Sequence, residues 1–161
     1  VPMPSDVEIV VMHSGQGRQL AASGYTERVV QCRAAEAVIG PLRLATLDDV
    51  ARIDDPVVQA RAHHVVTENR RVRDFAAAMS AGSFRDAGEI MIESHQSLRN
   101  DYESSHPVVD SLVSHLIATQ GVLGARVTGG GFGGCVVAMV EPGTLPGEGW
   151  HVKPSAGARL L

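Results

Sequence analysis

Residues 128–135 read Thr128-Gly129-Gly130-Gly131-Phe132-Gly133-Gly134-Cys135, with five glycines in the six positions 129–134. No helix or strand runs through such a stretch. Glycine loses the most backbone freedom on ordering, and it opens dihedrals closed to residues that carry a Cβ. The stretch is therefore a loop between two apolar runs, 125–128 and 135–140, which read as strands. Its uncovered backbone N–H groups suit the cupping of an anion, and its lack of side chains admits a ligand or another backbone at close range. A tight or bulged hairpin is the purely structural alternative, but one or two glycines normally suffice for that. The excess of glycine favours a functional loop. It is not a Walker A loop, since no Gly-Lys-Ser/Thr follows and a strand stands where the motif requires a helix. The dinucleotide-binding fingerprint fails on the same count.

Upstream of this loop the pattern is mostly helical. Glu8-Ile9-Val10-Val11-Met12 is a short β-branched strand closed by His13-Ser14-Gly15. Gly15, Gly17 and Gly24 suggest a mobile loop until a helix begins near Tyr25, runs through Val29, Cys32 and Ala35, and stops at Gly40-Pro41. Thr46 is placed to cap a short helix with an acidic residue three positions later. Pro56 opens a long helix whose stripe is Val58, Val65, Val72, Phe75, Ala76 and Met79, ending at Gly82. Ser83 caps the next, with a stripe of Phe84, Ala87, Met91 and Leu98 reaching Tyr102. Pro107 begins a further one through Val109, Leu112, Val113 and Leu116, with Gly121 as its C-cap. Residues 150–153 form a last short strand. A strand, several helices and then two or three strands give an α+β domain, an antiparallel sheet covered by helices on one face.

At 161 residues the chain has room for one domain with a proper core, covering 1–161. A net charge of −4 with scattered basic residues argues against a nucleic-acid footprint. No apolar run approaches the roughly 18 residues of a membrane span, and the N-terminus lacks the pattern of a signal peptide. Cys32 and Cys135 have no CxxC companions, which excludes an evident zinc site or disulfide framework and fits a cytoplasmic setting. His63 and His64 are adjacent and so point to different sides of a helix, and no HExxH pattern occurs. The histidines, His95 among them, read as surface or hydrogen-bonded groups, and no metal site is expected. Arg70, Arg71 and Arg73 read as a solvated helix face, and Cys135 as a buried small hydrophobe. The chain opens on Val1 without an initiator methionine, and reads as a piece of something longer.

The loop 128–135 resembles the third signature motif of galactokinases, within the wider GHMP group of small-molecule kinases. Four further stretches resemble galactokinase segments in the same order: Ser23-Gly24-Tyr25-Thr26-Glu27-Arg28 followed by Gln31-Cys32; Arg61-Ala62-His63-His64-Val65-Val66-Thr67-Glu68-Asn69; Glu93-Ser94-His95-Gln96-Ser97-Leu98-Arg99-Asn100-Asp101-Tyr102-Glu103, leading to Pro107 and Asp110; and Lys153-Pro154-Ser155-Ala156-Gly157-Ala158. The resemblance implies the ferredoxin-like C-terminal domain of an enzyme that uses ATP and Mg2+ to phosphorylate α-D-galactose at its anomeric hydroxyl. It implies that Tyr25 contacts the sugar. The loop Thr128, Gly129, Gly130, Gly131, Phe132, Gly133 and Gly134 would shape the substrate end of the cleft and buttress the phosphate-binding half.

No segment matches the family's first motif, its phosphate loop or its catalytic aspartate, so no catalytic residue is assigned to this chain. The N-terminal half of the kinase becomes its expected partner, and the chain alone is expected to lack turnover. The family also carries a helix before its last strand, where this chain has Glu141-Pro142-Gly143-Thr144-Leu145-Pro146-Gly147-Glu148-Gly149, too broken for one. Part of the sheet would then be uncovered. Two alternatives stand beside the kinase reading: a non-catalytic sugar-sensing or interaction domain, and a kinase of the same group acting on another small alcohol.

Overall fold

The computed structural model describes residues 4–17 and 22–154. Strand β1 (Glu8–His13) is followed by helices α1 (Ala22–Ile39), α2 (Leu47–Val50), α3 (Pro56–Ala81), α4 (Phe84–Asn100) and α5 (Pro107–Ile117), then by β2 (Val122–Thr128), β3 (Cys135–Val140) and β4 (Trp150–Val152). The strands form one antiparallel sheet in the order β2-β3-β1-β4. Because β3 lies between β1 and β2, the helical crossover joins strands that run the same way but do not touch. This is the split βαβ of the ferredoxin-like plan.

Alternation along the strands sorts the core. Val10, Ala125, Val127, Val136, Ala138 and Val140 face Val109, Val113 and Leu116 of α5. Met139, with Ile9 and Val137, turns the other way onto Met79 and Phe75 of α3 and Ala87 and Met91 of α4. A third cluster of Ala35, Leu42, Val50, Ile53 and Ala62 packs α1 and α2 on α3, away from the sheet. The α+β class and the antiparallel sheet are as expected, and α5 supplies the expected helical cover. The pair α3/α4 adds cover on the opposite face. The reason is legible in Cys-Val-Val-Ala-Met-Val of β3: a central strand apolar at every position must be buried on both sides.

Helix α4 meets β2 backbone to backbone. A Cβ on Gly88 would overlap the Leu123 carbonyl, and one on Gly124 would overlap Gly88. The approach brings His95 to the sheet edge, where its Nδ1 accepts the N–H of Val127 at 3.4 Å. A donor that an edge strand would otherwise leave open is thereby satisfied. With Nδ1 accepting, the proton sits on Nε2, which faces Asp110 Oδ1 at 3.2 Å without hydrogen-bond alignment. His95 is thus a buried, bonded histidine.

Several boundaries differ from the sequence reading. Helix α1 begins at Ala22, so Gly24 lies inside it. Ser83 occupies the N-cap position of α4 but its hydroxyl caps nothing. Helix α5 ends on Ala118, while Gly121, at φ 87°, makes the turn into β2, which starts at Val122. Thr46 caps α2 as expected, in a reciprocal capping box with Asp49. Val72 is exposed, Arg71 is half-buried against Glu68, and Cys135 is half-buried. The closing segment from Ser155 lies outside the described residues.

The crossover from β3 to β4 has no helix, as expected. Leu145 from this segment enters the α5-side core, and its carbonyl bonds His151 Nε2 at 2.9 Å. The opposite face of β4 stays open, with Trp150 58% and Val152 43% exposed.

Gly88→Ala forces α4 off β2, and no flexible side chain can yield because the obstacle is backbone. We expect a loss of at least about 3 kcal/mol in urea denaturation, or no folded protein, as for other overpacked core contacts.

Candidate functional site

The glycine-rich loop divides into two parts. Gly129 and Gly130 are exposed, whereas Gly131, Gly133 and Gly134 are buried. The buried part is stitched to two neighbours. The Phe132 N–H donates to the Ser104 carbonyl at 2.6 Å, and the Gly134 N–H to the Gln16 carbonyl at 3.0 Å. Ser14 N–H returns a bond to the Gly134 carbonyl at 2.9 Å. At Gly131, with φ 79°, a Cβ would overlap the Ser104 carbonyl, so both the dihedral and the approach require glycine. The N–H groups of Phe132 and Gly134 are thus spent on structure, and the ligand-accessible backbone is at Gly129 and Gly130.

Phe132 ties the loop to the Tyr25 segment. Its ring lies so close to Gly24 that a Cβ there would come within 3.0 Å of it. Tyr25, the next residue of α1, is 64% exposed. The two sequence-predicted site elements, distant along the chain, are neighbours in the fold.

Beneath them lies a polar clamp on the linker between α4 and α5. Arg28, one turn after Tyr25 on α1, donates through Nε to the Tyr102 carbonyl and through Nη2 to the Glu103 carbonyl at 3.0 Å. Arg61 on α3 donates to the Asp101 carbonyl and pairs with Glu103 Oε2 at 2.8 Å. Gln31 Oε1 receives both arginines, from Arg28 Nη1 at 3.1 Å and Arg61 Nε at 2.9 Å. Both guanidinium side chains are nearly buried, at 8% and 3% exposure. The next linker carbonyl, Ser104, holds Phe132. Glu103 and Phe132 are the non-glycine residues with positive φ among those described, at 49° and 58°. Strained backbone that persists only where its surroundings impose it is concentrated at this junction.

The helix signatures complete the network. Ser97 gives its hydroxyl proton to Asp101 Oδ2 at 2.7 Å, so it accepts from His64 Nδ1 at 2.9 Å. The His64 ring packs against that of Tyr102, with centroids 4.6 Å apart. Burial, aided by Arg71 and Arg126 and opposed by Glu68 and Asp101, brings His64 down to about 4. Burial and the neighbouring Cys32 thiol push the Tyr102 hydroxyl up to about 12. Neither group carries charge near neutrality. Glu68 on α3 binds the Ser94 hydroxyl of α4 at 2.7 Å, Arg71 at 2.8 Å and Arg126 of β2 at 2.7 Å. Burial pushes its pKa up, but these three partners outweigh it and bring the carboxyl down to about 2.

Residues 75–147 match the family model described as "GHMP kinases C terminal". A galactokinase of Roseiflexus sp. (strain RS-1) is 43% identical over 152 residues, covering 88% of this chain and 39% of that protein. The galactokinase of Homo sapiens is 40% identical over 154 residues, covering 92% and 39%. The crystal structure of Lactococcus lactis galactokinase complexed with galactose is similar with a TM-score of 0.78 and 36% identity, over 84% of this chain and 38% of that one. The chain matches the C-terminal part of galactokinases of the GHMP kinase group. It spans 39% of the length of the curated galactokinases it matches.

Arg28, Gln31, Arg61 and Ser104 hold the linker and the loop in place, and sequence reasoning gave none of them a role. A signal was present for one of them. Arg61 falls between Val58 and Val65 on the apolar stripe of α3, where a charged side chain must find partners or stay out. Among the described residues no three His, Cys, Asp or Glu side chains converge on a metal site.

Arg28→Leu strands the Tyr102 and Glu103 carbonyls. It is expected to cost about 2–4 kcal/mol in denaturant unfolding and to speed hydrogen exchange at the Phe132 amide. Arg70→Gln, which breaks an exposed pair, should change stability by less than about 0.5 kcal/mol. His64 adds a pH dependence. Its folded value of about 4 lies below the ordinary 6.5, so between these limits the unfolded chain takes up a proton that the folded one refuses. Stability should therefore fall as pH falls from 6.5 to 4, by about 3 kcal/mol in total. Thermal melts across that window check it, and His64→Gln should flatten the slope.

Proposed function

We propose that residues 1–161 are the C-terminal domain of a cytosolic galactokinase, which transfers the terminal phosphoryl group of MgATP to the anomeric hydroxyl of α-D-galactose. The observation that carries this reading is the junction of Phe132 on Gly24. It joins the segment of the exposed Tyr25 to the loop whose Gly129 and Gly130 are exposed, which supports one shared substrate cleft. An aromatic face with a polar tip suits a sugar, which presents apolar C–H surface and hydroxyls together. Exposed N–H groups at Gly129 and Gly130 suit the anionic end of the reaction. In phosphoryl transfer the protein supplies mainly position and charge stabilisation, and the clamp of Arg28 and Arg61 on the linker fixes the position of both elements.

The chemistry of the general base and most of the nucleotide contact is assigned to the N-terminal half of the kinase, which is the partner this domain requires. Magnesium would travel with the nucleotide. The loop offers N–H donors, which suit an anion and not a cation, so no step is routed through a metal on this chain. A cytosolic setting is supported by the free thiols of Cys32 and Cys135. Among the described residues, no helix is long and apolar enough to cross a membrane. The scattered basic residues and net charge of −4 favour small-molecule substrates over nucleic acid.

A non-catalytic interaction domain is the second reading, favoured by the open Trp150 and Val152 on β4. The identity of 40–43% to galactokinases weighs against a kinase for a different alcohol. The pure chain should release no ADP with galactose and MgATP, and measurable turnover would overturn the assignment of the base to the other half. Co-expressed with the N-terminal half of the Roseiflexus enzyme, it should restore turnover. Tyr25→Ala should then raise the galactose KM about ten- to a hundredfold and leave that for ATP unchanged. No restored turnover and no galactose binding, with a protein partner retained, supports the interaction reading.

A further inference from the structure

A cavity of about 240 Å³ lies between α3, α4 and the sheet face opposite α5. It shares no residue with Tyr25 or the glycine-rich loop, and its lining is sharply divided. One end is apolar, formed by Val72 and Phe75 of α3, Ile90 and Met91 of α4, Ile9 of β1 and Val137 of β3. The other end carries Glu68, Arg71, Ser94 and Arg126.

The charged end is not balanced. Glu68 accepts from the Ser94 hydroxyl, from Arg71 Nε at 2.8 Å and from Arg126 Nη1 at 2.7 Å. One carboxylate therefore serves two guanidinium groups, leaving one net positive charge. Arg71 Nη2 is buried and has no hydrogen-bond partner among the described residues. An interior N–H donor left without an acceptor is costly, and native structures nearly always satisfy such groups. The Ser94, Arg71 and Arg126 donors hold the Glu68 pKa down at about 2, so the carboxylate is charged at neutral pH and accepts but gives no proton. Val72, 62% exposed at the rim, leaves the apolar end open to solvent.

We propose that this cavity is a second ligand site, which takes a small monocarboxylate with a short apolar body. The carboxylate would meet the Arg71 and Arg126 guanidinium groups at the charged end, with Arg71 turning its unpartnered Nη2 toward it, and neutralise the excess charge, while the body would cover Val72, Phe75 and Ile90. The volume lies below the roughly 300–1,000 Å³ of drug-sized sites, which excludes a nucleotide or a disaccharide. A phosphate monoester brings a second negative charge against Glu68, so a monoanion fits better. Arginine is the side chain suited to a carboxylate through parallel N–H bonds. The inference stands apart from the kinase reading and survives its failure.

The test titrates the full chain with hexanoate, 1-hexanol and acetate, read by amide chemical shifts. Hexanoate should bind saturably, with shifts clustered at Arg71, Val72, Ile90, Met91 and Arg126. Hexanol lacks the charge and acetate lacks the body, so each should bind at least about tenfold more weakly. Arg71→Met, which keeps the stem and removes the donor, should abolish the preference for hexanoate over hexanol. Ile90→Trp fills the apolar end from its rim and should block hexanoate while circular dichroism stays unchanged. Equal binding of hexanoate and hexanol overturns the site. So do acetate binding as well as hexanoate, shifts away from this face, an unaltered preference in Arg71→Met, or no saturable hexanoate binding by the folded chain.

Discussion

Two buried arginines gripping one short linker organise this domain. Arg28 comes from α1 and Arg61 from α3, and both spend their donors on consecutive carbonyls of the turn between α4 and α5, with Gln31 accepting from both. A guanidinium is a rigid fork of donors that cannot shed its charge, so its burial is tolerable only when its acceptors are fixed in place. The linker supplies them, and in return it is fixed in a shape that includes a left-handed Glu103. The carbonyl that follows receives Phe132, and Phe132 sits on Gly24, four residues before Arg28 itself. The path closes on its starting helix. Helix α1, the linker and the glycine-rich loop hold one another, and none keeps its geometry if another is released.

The sheet imposes the second constraint. Its central strand β3 is apolar throughout and must be dry on both faces, which places α5 on one side and the α3/α4 pair on the other. The pair needs no long side chains where it meets β2, because Gly88 and Gly124 let the backbones touch. That proximity puts His95 at the strand edge, and lets Glu68 link α3, α4 and β2 through Ser94 and Arg126. Electrostatics here is an outcome of packing: the half-buried Glu68 carboxylate is ionised because three donors surround it.

Much of this was legible from residue order. The strands, the helix starts at Pro56 and Pro107 and the absence of a helix between Val140 and Trp150 follow from period and from proline and glycine, which act locally. The errors fall where a local signal met a tertiary one. Gly24 reads as a loop residue yet lies within α1, because Phe132 needs the space where a side chain would be. Ser83 has the chemistry of a cap but makes no cap bond. Val72 belongs to an apolar stripe yet faces solvent at the mouth of a cavity. The site was half legible: Tyr25 and the glycine run stand out by type, whereas their supports Arg28 and Ser104 are ordinary residues whose hydrogen-bond partners lie 74 and 28 positions away.

The three-residue strand β4 also bears on how the molecule comes apart. It holds to β1 through three register pairs and shows its Trp150 and Val152 to solvent. A segment with so little burial opens at a small fraction of the global cost, independently of the rest. When it lifts, β1 becomes a sheet edge of β-branched residues with free donors and acceptors, the kind of surface that recruits a strand from another molecule. The weak hem of this sheet, and not its glycine-rich loop, is where self-association would begin.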